Sequence, residues 1–170
     1  MDAVTIFLRL LHVFGGVFWA GTNLALAFFI MPTVSAAGAE GGRFIERLMG
    51  ARRLSLFMNL AAPITTLSGL LLYWRASGFQ LAWITTNSGL GFTIGGLAGI
   101  ATFFLGILLM SPTALGISTL GKELATAGGP PAPEKLARMQ TLQNRLRVGG
   151  MWDASLMILA IVLMAVARYL

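Results

Sequence analysis

Three stretches of this chain contain no Asp, Glu, Lys or Arg: Leu10 to Ala39, Leu54 to Trp74 and Ala76 to Gly121. Each is long enough to hold a helix of about 20 residues, the length that crosses a hydrocarbon core of about 30 Å at 1.5 Å rise per residue. A fourth apolar stretch, Val148 to Ala167, carries a single acid, Asp153. The chain is 56% hydrophobic and 11% charged, too little polar surface for water, where roughly a quarter of residues are charged in a soluble domain. The pattern predicts one all-α transmembrane domain over residues 1–170, a polytopic four-helix bundle with spans near residues 6–31, 54–74, 92–112 and 149–167. Small residues at Val34-Ser35-Ala36-Ala37 follow the first run, but that run exceeds the 7 to 15 residues of a signal-peptide core and the start Met-Asp-Ala has no basic cluster. A retained first helix is expected.

Charge placement gives the expected orientation. Arg43, Arg47, Arg52 and Arg53 lie between spans one and two, and Lys122, Lys135, Arg138, Arg145 and Arg147 between spans three and four. Only Arg9, Arg75 and Arg168 fall on the other side. Cytoplasmic loops retain basic residues, so both termini are expected outside. Tyr73, Trp74, Trp83 and Tyr169 then form an outer aromatic belt, with Trp152 at the inner boundary. The net charge of +6 therefore points to topology and lipid rather than to nucleic acid.

Glu40 to Arg53 segregates charge from Phe44, Leu48 and Met49, as an interfacial helix would. Gly128-Gly129-Pro130-Pro131-Ala132-Pro133 is a breaker. Beyond it, Leu136, Met139, Leu142 and Leu146 recur at helical spacing, predicting a short amphipathic helix that runs into span four. Such a helix either docks a partner or anionic lipid or is an ordinary juxtamembrane segment. In span three, Gly91, Gly95 and Gly99 repeat every fourth residue, a helix-packing ridge directed at the bundle or at another subunit. Pro63 predicts a kink in span two, since it removes the hydrogen bond to the Asn59 carbonyl.

The residues with chemical potential lie on span one. Arg9, His12, Gly16, Trp19 and Asn23 follow steps of three and four, which puts them on one helical stripe facing the bundle interior, a partner or a cavity. His12 is the single histidine. Its imidazole either ligates a metal (haem iron, copper or a chlorophyll-type magnesium) or hydrogen-bonds to a neighbouring helix. Gly15 and Gly16 leave room for a flat macrocycle, and Arg9 is placed to meet a propionate. Trp19, near mid-membrane, requires a cofactor or a packed core. A second ligand would come from the nine methionines or another subunit, because the chain has no cysteine. Asp153 is expected too deep on the opposite side to join His12; its candidate partners are Arg52, Arg53 or Arg145 in a structural ion pair, or the amide of Asn23. Neither a P-loop nor a hydrolase triad is present.

The stretch Leu11-His12-Val13 to Trp19-Ala20-Gly21 resembles the first-helix pattern of the CopD-like family of bacterial membrane proteins, His, six residues, Trp, one residue, Gly. Thr65-Thr66-Leu67-Ser68-Gly69-Leu70 and Met164-Ala165-Val166-Ala167-Arg168-Tyr169 extend the resemblance. It implies a multi-pass protein of the bacterial cytoplasmic membrane associated with copper handling, with the family's histidine carried over to His12. Together with the span-one stripe, the expected site holds a haem-type cofactor or copper at His12, with Arg9, Gly16 and Trp19 around it and no catalysis of its own. Copper permeation is a further implication. A more distant similarity is to the HemJ-type protoporphyrinogen oxidases, which pair that histidine with a third-helix lysine; span three here has none, so the oxidase activity is not implied. A reading of a different class is an accessory subunit of a respiratory or photosynthetic assembly, docked through the Gly91, Gly95 and Gly99 face.

Overall fold

The computed structural model describes residues 2–127, 130 and 132–170, and its regular elements among these are all helical. Four helices are long and apolar enough to cross a membrane: Ala3–Ala36, Leu54–Ser77, Asn87–Thr126 and Pro133–Tyr169. Each contains the expected span and most outrun it. The third, 40 residues, measures roughly 60 Å at helical rise, about twice a hydrocarbon core.

The connections follow from local chemistry. Asp2 caps the first helix by accepting from the Thr5 N–H at 3.0 Å, and Thr86 caps the third by accepting from Gly89 at 3.0 Å. Gly78 ends the second in the left-handed region at φ 52°, with its N–H on the Trp74 carbonyl at 2.8 Å. The Glu40–Arg53 segment forms a helix, Gly38–Glu46, and then a widened π turn, Arg47–Ala51. Gly128, Gly129 and Pro131 of the expected breaker lie outside the described residues. On its far side Ala132 is extended and Pro133 opens a helix without interruption to Val166, so the amphipathic segment and the fourth span are continuous.

Chain neighbours pack side by side, the first span against the second and the third against the fourth. Both termini lie at one end. There Arg75 at the close of span two pairs with Asp2 at 2.6 Å, and Gly91 at the start of span three meets Ala167. Tyr73 ties the two pairs together: the Thr93 hydroxyl donates to the Gly89 carbonyl and so accepts from the Tyr73 phenol, each at 2.7 Å. At the opposite end the third and fourth helices project as a hairpin, with Leu142 against Gly116, Met139 against Gly121 and Lys135 paired to Glu123 at 3.0 Å. All four spans converge on one apolar layer: Trp19, Ala20, Ala61 and Met157, flanked by Met58, Ala62 and Phe103.

The two pairs are built alike. Gly15-Gly16, Thr22, Pro32-Thr33 and Gly41 recur at one constant interval as Gly95-Gly96, Thr102, Pro112-Thr113 and Gly121. In spans two and four, Met58 and Ala61 recur as Met157 and Ala160 at a second, longer interval, at which Ser68 corresponds to the equally small Ala167. The structure repeats with them. A π turn precedes each proline, Leu26–Ile30 before Pro32 and Gly106–Met110 before Pro112. Proline lacks an N–H and its ring crowds the preceding turn, and widening that turn relieves the clash. Thr33 and Thr113 then return their hydroxyls to the carbonyls of Phe29 and Leu109, at 2.7 and 2.6 Å.

Candidate functional site

The seam between spans one and two carries the polar residues. Gly15 brings the helices together: a Cβ there would lie 2.6 Å from Thr65 Oγ1. One turn nearer the termini, the His12 ring lies over Gly69, where a Cβ would stand 2.7 Å from its Cε1 and 2.9 Å from its Nδ1. His12 Nδ1 is 2.8 Å from the Thr65 carbonyl oxygen. A carbonyl only accepts, so Nδ1 carries the proton and, in the neutral ring, Nε2 keeps the lone pair. Ser68 reinforces the same turn by donating to the carbonyls of Ile64 and Thr65, at 2.6 and 3.1 Å. Thr65 Oγ1 is buried without a hydrogen-bond partner.

The stripe inferred on span one is the inward face, and its members serve different ends. Trp19, 7% exposed, fills the convergence layer as a core side chain. His12 and Gly16 are half-buried, while Arg9 is exposed one turn beyond His12. The room expected beside Gly15 and Gly16 is occupied by span two, since a Cβ added at Gly16 would lie 3.5 Å from Thr65 Cγ2 and one at Gly15 would meet the Thr65 hydroxyl. A macrocycle therefore has no slot between these helices. Thr65 and Gly69 complete the His12 site; their spacing on span two was visible in the sequence, but not that Gly69 underlies the ring.

Asp153 forms a second, separate polar layer. It is 5% exposed, and its Oδ2 accepts from the amide of Asn23, itself 8% exposed. Oδ1 has no hydrogen-bond partner. The ion pair expected with Arg52 or Arg53 is thus replaced by the other candidate, the Asn23 amide; both arginines are exposed on the loop between spans one and two. Arg53 precedes span two in the left-handed region, φ 54°, so the helix does not run on through it into the preceding turn. Asn23 stands three turns from His12 along span one, roughly 16 Å. The two layers do not form a joint site, as expected.

The glycine ridge divides. Gly91 and Gly95 are buried against span four, their added Cβ positions falling 2.9 Å from Ala167 Cβ and 3.2 Å from Leu163 Cβ. Gly99 has nothing within 4 Å. The buried stripe instead steps to Ala98 and Thr102, because a helix of 3.6 residues per turn drifts away from a strict four-residue repeat. Gly91 and Gly95 are consequently unavailable to another subunit.

Just before span one, the Asp2 carboxyl is held below its ordinary range, first by the Thr5 backbone N–H and then by the Thr5 hydroxyl and Arg75. Among the described residues no three His, Cys, Asp or Glu gather as a metal site. No family model, curated protein or solved structure matches the chain.

Proposed function

We propose that this multi-pass membrane protein holds a tetrapyrrole-bound metal of haem type through His12, without catalysing a reaction itself. The supporting observation is the hydrogen bond from His12 Nδ1 to the Thr65 carbonyl. Ligating histidines are fixed in this way, with one ring nitrogen donated to a carbonyl or carboxylate and the other left to the metal. One imidazole would suffice to hold such a group, whose own nitrogens would supply the remaining donors to the metal. Copper needs further protein donors, and here those would have to be thioethers. The seam is closed at Gly15 and Gly16, so the group approaches the exposed side of the half-buried His12 ring, with Arg9 one turn away for an acidic substituent. The resemblance to CopD-like proteins, the bacterial cytoplasmic membrane and the orientation with both termini outside belong to this reading, the last supported by nine basic residues on the loop side against three.

A second reading, the accessory subunit, is favoured by one observation. Gly96, Gly99 and Gly106 of span three have no neighbour within 4 Å, an open stripe where another helix can approach. This moves the docking face away from Gly91 and Gly95. Haemin titration of the purified protein tests the leading reading: wild type should give a stoichiometric Soret band that His12→Ala abolishes. A wild-type protein that binds haemin no better than His12→Ala would refute it. If instead Gly99→Leu releases co-purifying subunits while leaving the spectrum unchanged, both functions coexist on separate faces.

A further inference from the structure

The His12 reading leaves one buried ionisable group unused. Asp153 sits at the interior of the bundle with one carboxylate oxygen on Asn23 and the other on nothing. A charge in that setting is strongly disfavoured unless something neutralises it. The surrounding elements offer little. The third-span helix Asn87–Leu105 and the π turns Leu26–Ile30 and Gly106–Met110 contain no ionisable residue, and the first helix has only Arg9 and His12, three turns or more from Asn23. Lys122 and Glu123 lie far along the projecting hairpin, where Glu123 pairs with Lys135. On the same helix as Asp153, Arg145 and Arg147 are exposed, Arg147 donating to Asn144 at 2.9 Å, and Glu134, Arg138 and Arg168 are more distant.

The partner that Asp153 does have suits a group that changes state. An asparagine amide donates its N–H to a carboxylate or, turned over, offers its carbonyl to a carboxylic acid. It can also supply an oxygen to a metal ion. An arginine could do neither of the last two. The flanking backbone adds to this. The π turns Leu26–Ile30 and Gly106–Met110 pack on the fourth helix, and a Cβ added at Gly149, one turn before Asp153, would stand 3.0 Å from the Leu109 and Met110 side chains. Asn23 stands just before the other π turn. Each proline beyond them leaves a backbone carbonyl in the preceding turn without its helical donor. Irregular helix beside a buried carboxylate is the usual composition of an intramembrane cation site.

We propose that Asp153 and Asn23 form a reversible binding site for one small hard cation, a proton or an alkali-metal ion, within the bundle. The site joins the first helix pair to the second, so occupancy couples to how the two pairs meet.

Labelling of the reconstituted protein with a hydrophobic carbodiimide, which attacks protonated buried carboxyls, reads this site by mass spectrometry. One adduct per chain is expected at Asp153 and none in Asp153→Asn. If the ligand is a proton alone, the labelling rate falls about tenfold per pH unit above the midpoint, as the protonated fraction does, and sodium or potassium has no effect. If it is an alkali-metal ion, sodium or potassium protects at fixed pH while choline does not. The melting temperature of wild type should follow the same variable, and that of Asp153→Asn, which keeps a side chain able to bond Asn23, should lose the response. Absence of an adduct at every pH, together with wild-type melting that responds to pH and cations just as Asp153→Asn does, would overturn the proposal.

Discussion

The first and second helix pairs share a scaffold and differ in what lines it. Gly15 in span one meets Ala61 and Thr65, and Gly95 in span three meets Ala160 and Met164. Beyond that crossing, the first seam holds His12, Thr65, Ser68 and Gly69, whereas the second holds Phe92, Met164, Ala167 and Arg168 at the matching positions. Close approach of backbones is thus common to both seams, and a histidine beside the crossing belongs to one. In lipid, where helices gain little from burying apolar surface against each other, the second seam is what packing alone requires. The first carries polar groups that packing does not explain, with a buried Thr65 hydroxyl left unsatisfied.

Substitutions at the glycines separate these two roles. The largest effect is expected from Gly95→Leu, which drives a branched side chain into Leu163 and Met164 and should destabilise the fold by about 3 kcal/mol, read from unfolding in denaturing detergent. Next is Gly15→Ala, expected to cost about 1–2 kcal/mol because its methyl meets Thr65 Oγ1. Adding Thr65→Ala should recover part of that loss, and strict additivity would show that Thr65 is not the obstruction. Gly69→Ala should be comparable in stability but different in kind: it displaces the His12 ring and should weaken haemin binding, which Gly15→Ala leaves largely intact. Gly99→Ala has open space and a better helix former, so a gain of up to about 1 kcal/mol is expected; a loss as large as that of Gly95→Leu would place Gly99 in a packed interface after all.

The positions of the spans were legible because runs without charge have one stable environment, and the His12 stripe was legible because its spacing is helical. The glycine ridge was half legible. Its four-residue spacing marked Gly91 and Gly95 correctly, but spacing alone does not show where a buried stripe shifts, and Gly99 fell off it. Helix ends were less visible, since the basic hairpin beyond spans three and four continues their helices where hydropathy stops. The likeness of the two pairs went unseen because its matches are small residues and prolines scattered among interchangeable apolar ones. Asp153 shows the limit most clearly: its choice between Asn23 and the arginines depends on rotation of one long helix relative to another, which no single segment encodes.

The smallest expected effect is at the termini. Asp2 is exposed and its carboxyl is held low by Thr5 and Arg75, so its contribution is present above the ordinary aspartate range and is lost as pH falls through the lowered value. Asp2→Asn should therefore abolish a slight acid-side decline in melting temperature, and high salt should mimic it. An unchanged acid decline would assign it to another group.

Because His12 is the only histidine, nitrogen-15 labelling of histidine gives one pair of ring signals from the whole protein. The polar seam is defined by Nδ1–H on the Thr65 carbonyl with Nε2 left as a lone pair, and this measurement reads that arrangement without needing the ligand. In wild type the neutral ring should be the Nδ1–H tautomer, shifting toward a mixture in Gly69→Ala. A wild-type ring protonated at Nε2 would contradict the seam and, with it, the proposed role of His12.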